Sequence, residues 1–171
     1  MKKMVKNQKG FSLIELLIVI AIMGVLAAIA FGMFSGVLGN AKKRADEQNA
    51  KVIERAVLAY LVDSQDWNLA KSYYNVNGTT GQIQTGDSWR EIIQALQGQL
   101  QDASSNPTKE FGPYLSPKGA SSPGSAQAIS DFAPQWSGSV GQYTGYKIDI
   151  YPSNQQVIVV PHRTTTTIAI N

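Results

Sequence analysis

Few residues of this chain could carry chemistry, and most of them stand without the neighbours chemistry needs. There is no cysteine, which removes disulfides, thiolate metal ligands and a cysteine nucleophile together. His162 is the single histidine, so no His pair is available for a metal. Within Val160-Pro161-His162-Arg163, between two β-like segments, it reads as a turn residue. Asp87, Asp102, Glu110, Asp131 and Asp149 are scattered, and no spacing among them resembles a calcium loop. No Gly-rich phosphate loop follows a strand, and neither G-x-S-x-G nor H-E-x-x-H occurs. The pattern points away from an enzyme, and no cofactor or metal is expected. The ionisable group in an unusual place is Glu15, which directly precedes a run from Leu16 to Leu38 without any charge.

That run sets the frame for Glu15. As a helix rising 1.5 Å per residue it reaches about 35 Å, enough for a hydrocarbon core of about 30 Å. A carboxylate inside such a span costs about 2.5–3.5 kcal/mol at its centre and less near the interface. No Lys, Arg or His lies between Phe11 and Asn40 to offset it. Its partner must be water, a headgroup, or a positive charge brought by another molecule. The 171 residues carry a formal +3, but Lys2, Lys3, Lys6 and Lys9 precede the run. Without residues 1–10 the balance is 11 basic against 12 acidic, and from Asp63 onward it is six against eight. No excess of positive charge remains to meet nucleic acid.

Two readings of the start compete. A cleavable secretory signal would have its A-x-A-like site at Ala28-Ile29-Ala30, but its apolar stretch is too long and contains Glu15. Alternatively, a cut between Gly10 and Phe11 would create an α-amino group beside Glu15, and a neighbouring copy's amine could neutralise that carboxylate as helices bundle.

Lys9-Gly10-Phe11-Ser12-Leu13-Ile14-Glu15-Leu16-Leu17, continuing through Ile20-Ala21-Ile22-Met23-Gly24-Val25-Leu26-Ala27-Ala28-Ile29-Ala30, closely resembles the class III signal of type IV prepilins, the family of pilus subunits and pseudopilins. The resemblance implies that Gly10 ends a leader removed by a membrane prepilin peptidase. It further implies that the amine of Phe11 is methylated and that Glu15 governs subunit addition. The family commonly has a proline just after the position of Ala30; here the chain reads Phe31-Gly32-Met33-Phe34-Ser35-Gly36. Gly32 and Gly36 can loosen the helix instead, at about 1 kcal/mol per interior glycine. As a G-x-x-x-G they can also admit a close helix neighbour. A straight helix that merely carries glycines is the alternative.

Beyond Asn40 the pattern turns amphipathic. Ala41, Ala45, Val52, Ala56 and Ala59 recur near helical spacing, widened by Ile53, Val57, Tyr60 and Leu61. Lys42–Asp46, Lys43–Glu47 and Glu47–Lys51 form i,i+4 pairs on the other surface. One helix from about Ser12 to about Val62 follows. Ser88-Trp89-Arg90-Glu91 is a capping box that opens a second helix with Ile92, Ile93, Leu96 and Leu100. Asn75–Gly81 reads as a turn-rich loop, in which Asn77-Gly78-Thr79 is formally a glycosylation sequon. Gly112-Pro113-Tyr114-Leu115-Ser116-Pro117 is similar to a loop that enters the sheet in some pilins. Phe111, Tyr114, Phe132 and Trp136 are expected to pin the surrounding Ser/Pro/Gly-rich stretch to the domain. Tyr143–Tyr151, Gln155–Val160 and Thr164–Ile170 read as three strands, with Pro152-Ser153-Asn154 as a turn.

The expected organisation is therefore a leader (1–10), a membrane or filament-core helix (11–38), its amphipathic continuation (39–62) and a head (63–171). The head comprises a loop region (63–142) and an antiparallel β-meander (143–171) that covers the helix, an α+β pilin-like fold. The expected function is a type IV pilus subunit that polymerises with itself. Its partners are prepilin peptidase and an assembly machine in the cytoplasmic membrane. Before assembly it is single-pass with its head outside the cytoplasm, and afterwards it lies in a cell-surface filament. A pseudopilin of secretion or competence is the alternative within the family, and a membrane-anchored extracytoplasmic binding module the alternative outside it. Adhesion, motility, DNA uptake and secretion are not distinguished by these residues.

Overall fold

The computed structural model describes residues 11–70, 72–76, 78–102, 108–137, 142–163 and 168–171. Gly10 and Asn77 lie outside the described residues. Two compact units divide the chain, 1–41 and 42–171, and helix α1 (Leu13–Ser64) contributes to both.

In the first unit α1 is regular, and every large apolar side chain from Phe11 to Leu38 is exposed. This is the one helix among the described residues long and apolar enough to cross a membrane. Gly32 and Gly36 lie within unbroken helix, and a Cβ at either would meet nothing within 4 Å.

The second unit contains the core. On α1 the buried stripe is Asp46, Asn49, Ala50, Ile53, Ala56, Val57, Tyr60 and Leu61, the 3.6-residue repeat of one helix face. Val52 and Ala59, read from sequence as part of that stripe, are exposed. Asp46, read as part of a surface ion pair, is fully buried. Among the described residues the ion pair formed on this part of the helix is Lys51–Glu54, at 2.9 Å.

The stretch 63–142, expected to be loop, holds much of the architecture. Strands β1 (Tyr73–Val76), β2 (Thr79–Gln82), β3 (Gln99–Asp102) and β4 (Lys109–Phe111) form an antiparallel sheet of order β2-β1-β3-β4. Asn75–Gly81 is thus a hairpin rather than a loop, with Val76 paired to Thr79 across a two-residue connection. Gly78 has φ +76° there, the left-handed conformation such connections require. Helix α2 (Trp89–Gln97) begins where the capping box places it. The Glu91 carboxylate accepts the Ser88 backbone N–H at 2.7 Å and the Ser88 hydroxyl at 2.9 Å. It ends earlier than expected, so Leu100 is the buried residue of β3 instead of a helical one. At the junction, Gly98 passes so close to Val76 that a Cβ would lie 2.5 Å from the valine's. Buried Gln97 then ties α2 to helix α3 (Ala126–Ser130), accepting from the Gly124 N–H at 2.8 Å and donating to the Ala128 carbonyl at 3.1 Å.

The C-terminal sheet corrects the meander. Strands β5 (Gly145–Tyr151) and β6 (Gln156–His162) form the expected antiparallel hairpin, turning through Pro152–Asn154. Strand β7 (Ile168–Ile170) does not add beyond β6. It runs parallel to β5 on the opposite edge, giving the order β6-β5-β7. His162 is the last residue of β6 and not part of a turn. Tyr146, Ile148 and Ile150 are buried as the alternation predicted, while Asp149 on the other face is also buried, within 2.9 Å of Lys147. Long apolar helix and largely antiparallel sheets together make an α+β, pilin-like architecture.

Candidate functional site

Two regions position the residues of interest, one in each unit. In the first unit, α1 begins at Leu13, and Glu15 occupies its first turn. The Glu15 carboxylate folds back to accept the Ser12 backbone N–H at 2.9 Å, while the Glu15 N–H donates to the Ser12 carbonyl at 3.1 Å. This is the Ser-x-x-Glu cap that also opens α2. The opening N–H groups of a helix carry partial positive charge, so a carboxylate is favoured there. Glu15 thus has a partner that the search for a charged residue overlooked: the N-terminus of its own helix. The signal was readable in Ser12-Leu13-Ile14-Glu15 but was hidden by the apolar residues around it. Phe11 precedes the cap, 91% exposed. Phe11, Ser12 and Glu15 therefore come together at one helix end; Gly32 and Gly36 lie far along the same helix and share no site with them.

In the second unit, Asp46 is the organising charge. Its two carboxylate oxygens accept the backbone N–H groups of Gln135 at 2.7 Å and Trp136 at 3.0 Å. Charge-assisted bonds of this kind are about twice as strong as neutral ones, and they seat the segment after α3 on α1. The Trp136 ring then lies under the Lys43 ammonium, 4.1 Å from its centroid, and edge-on to Tyr143 at 4.9 Å. Tyr143 closes the arrangement by donating its N–H to the Trp136 carbonyl at 2.9 Å. One turn further along α1, Asn49 accepts from Lys118 at 2.5 Å, and the Lys118 ammonium sits over Phe132, 4.5 Å from its centroid. Burial lowers the Lys118 pKa, against the pull of Asp131 and Asp46. Phe111 and Tyr114 meet the edge of Tyr60, and the Tyr114 hydroxyl donates to Asp63 at 2.5 Å. The spaced aromatics do pin their stretch to the helix.

Hydroxyls in the core each find an acceptor there. Tyr60 donates to Ser72 at 2.5 Å, Ser72 donates to Asp66 at 3.1 Å, and Tyr146 donates to the Phe132 carbonyl at 2.9 Å. Burial raises the pKa of both tyrosines. One concave surface lies along α1 beside Arg44, Gln48 and Val52. Among the described residues no group of three or more acids and histidines could hold a metal.

Comparison with known proteins agrees with the first region. The prokaryotic N-terminal methylation motif matches residues 5–31. Over 59 residues the chain is 42% identical to prepilin peptidase-dependent protein A of Clostridium perfringens (strain 13 / Type A), covering 34% of this chain and 42% of that protein. The chain therefore matches less than half the length of this curated relative. No solved structure matches the chain. With Phe11 and Glu15 at the head of a long apolar helix, and an α+β unit after it, the chain carries a class III prepilin signal on a pilin-like architecture.

Proposed function

We propose that this protein is a type IV pilus subunit, cut after Gly10 by prepilin peptidase, methylated at Phe11, and polymerised through α1 into an extracellular filament. The observation that carries the reading is the pairing of the methylation motif over residues 5–31 with a helix whose apolar half exposes every large side chain. A self-supporting head with an uncovered apolar helix suits a subunit with two successive environments, lipid and then a bundle of like helices. Transfer between them changes apolar burial little, so the difference must come from close packing and from charge. Gly32 and Gly36 serve the first by admitting a neighbouring helix or by loosening α1. Glu15 serves the second: held on the Ser12 N–H in the single chain, it exchanges that partner for the methylated amine of a neighbouring copy. The contact is like-for-like and does not close, which gives a filament. The work is mechanical, not catalytic.

Mass spectrometry of the N-terminal peptide, from membranes and from material sheared off cells, tests this. A chain beginning at Phe11, one methyl heavier than its sequence and present in the sheared fraction, is expected. The same peptide confined to membranes identifies a pseudopilin or minor subunit instead. A start at Met1 or after Ala30 refutes the proposal. Gly10→Val should leave residues 1–10 attached.

A further inference from the structure

We propose that Lys118 and Asn49 become joined by an isopeptide bond, formed by the protein itself with loss of ammonia. The pair connects the Ser/Pro/Gly-rich stretch to α1 within the unit spanning 42–171, and the bond does not depend on the filament proposal. The Lys118 ammonium donates to Asn49 Oδ1 at 2.5 Å. With a carbonyl bond of about 1.23 Å, Asn49 Cγ then lies between about 2.8 and 3.7 Å from Nζ. Reacting atoms in a near-attack arrangement stand about 3–3.5 Å apart.

Three further observations point to acyl transfer rather than to a simple hydrogen bond. The first is the amide. Asn49 is buried, yet its Nδ2 has no hydrogen-bond acceptor among the described residues. It is near enough to the Tyr146 hydroxyl to oppose the burial-driven rise in that phenol's pKa, but not in hydrogen-bonding geometry. A buried donor without a partner is a standing cost, and the reaction expels that nitrogen. The second is the nucleophile. The Lys118 ammonium sits over the ring of buried Phe132, and burial lowers its pKa against the pull of Asp131 and Asp46. The neutral amine is therefore reached at lower pH than in water. The third is a proton carrier. Asp46 is committed to two backbone N–H groups. Asp131 is half-buried, precedes Phe132, and accepts from the Gln127 amide through one oxygen.

After Lys118 loses one proton to solvent, Nζ attacks Asn49 Cγ and the carbonyl electrons move onto Oδ1. Asp131 takes a proton from Nζ and passes it to Nδ2. The Cγ–Nδ2 bond breaks, the carbonyl re-forms, and ammonia leaves along the exposed side of Lys118. Nothing is oxidised or reduced, and no co-reactant is consumed. In a chain without cysteine, the product is a covalent tie between positions 69 residues apart.

The test is tandem mass spectrometry of a tryptic digest of the full chain. The bond should join Ala45–Lys51 to Glu110–Lys147, uncut after Lys118 and lighter than the sum of the two peptides by one ammonia. Fragment ions should place the loss at the junction of Asn49 and Lys118, which separates the bond from cyclisation of Asn49 alone. Lys118→Arg keeps a donor for Asn49 but should abolish the branched peptide. The same variant should lower the melting midpoint of the head by about 10–15 °C. Asp131→Asn should slow the appearance of the branched peptide after synthesis by about 100-fold or more. A wild-type chain that yields Ala45–Lys51 and Glu110–Lys118 as separate, unmodified peptides overturns the proposal. A branched peptide that forms undiminished in Asp131→Asn overturns Asp131 as the proton carrier while the bond stands.

Discussion

Replacing Asp46 by alanine isolates the contribution of one buried carboxylate. In the intact protein it accepts two backbone N–H groups, from Gln135 and Trp136, and is wholly shielded from solvent. Alanine keeps the helix and removes both acceptors. A hydrogen bond to a charged group contributes about 1.5–3 kcal/mol net, so two would suggest up to about 6. Gln135 is exposed and Trp136 half-buried, so water can reach the freed N–H groups in part, and the expected loss is about 2–4 kcal/mol. With an unfolding entropy of about 2.1 cal/mol/K per residue, the unit spanning 42–171 should melt about 7–15 °C lower. The assay is thermal circular dichroism of the full chain in detergent, which keeps the apolar helix solvated while the head unfolds. Asp46→Asn should fall between, since an amide retains one acceptor but turns a donor towards the second N–H. Glu47→Ala, on the exposed face of the next position, is the control and should shift the midpoint by no more than about 2 °C. An Asp46→Ala chain that melts with the control would show that the carboxylate does not hold the segment, and would remove the structural basis for the position of Trp136.

The other predictions concern charge at the two ends of the protonation scale. Glu15→Ala should be cut normally yet assemble poorly, and Glu15→Gln separates the two roles of the side chain. Glutamine can still accept the Ser12 N–H but cannot pair with an amine, so it should assemble as poorly as alanine; wild-type filament yield from Glu15→Gln would refute charge pairing. Tyr60 and Tyr146 are buried phenols with raised pKa values, so the folded state holds their protons more tightly than the unfolded state does. Their stabilising contribution is complete below the unfolded value of about 10 and is lost as pH rises beyond it, by up to about 1.4 kcal/mol per unit for each phenol. Phenolate absorbance from these residues should therefore appear together with loss of ellipticity above about pH 10. A simple titration centred near 10 with the fold intact would contradict their burial.

What could be read from sequence followed the strength of local signals. The long helix was legible because its apolar and amphipathic halves each repeat over many turns, and α2 because Ser88 and Glu91 mark its start. Strands β5 and β6 were legible because each runs for seven residues with apolar alternation. The four-stranded sheet was not. Its strands are three or four residues long with little apolar alternation, and the pairing of β1 with β3 that joins its two halves bridges residues distant in sequence. Asn77-Gly78 was the available clue to the hairpin. The parallel placement of β7 could not be read either, since strand order is a tertiary property and a third strand after a hairpin can join either edge. Asp46 was misplaced for a related reason. Helical spacing puts Lys42 within its reach, but two N–H groups from a segment about ninety residues away compete better for it.

The two glutamates in Ser-x-x-Glu caps carry the division of labour in this chain. At Ser88 the cap starts a helix that Trp89, Ile92, Ile93 and Leu96 bury in the core. At Ser12 a Ser-x-x-Glu cap starts a helix whose apolar half is exposed, from Leu13 at 82% exposure to Leu38 at 58%. A cap alone is worth about 1 kcal/mol, too little to explain placing a carboxylate at the edge of an apolar run where many neutral caps would serve. What the carboxylate adds is a charge that, among the described residues, is met by one N–H and the helix dipole. Both partners are weaker than an ammonium group at the same distance. A cationic amine arriving from another chain can therefore displace the cap and leave the helix intact, because the Ser12 carbonyl still accepts the Glu15 N–H at 3.1 Å. Under the filament proposal, the single subunit is stable enough to wait and its charge is held loosely enough to be exchanged.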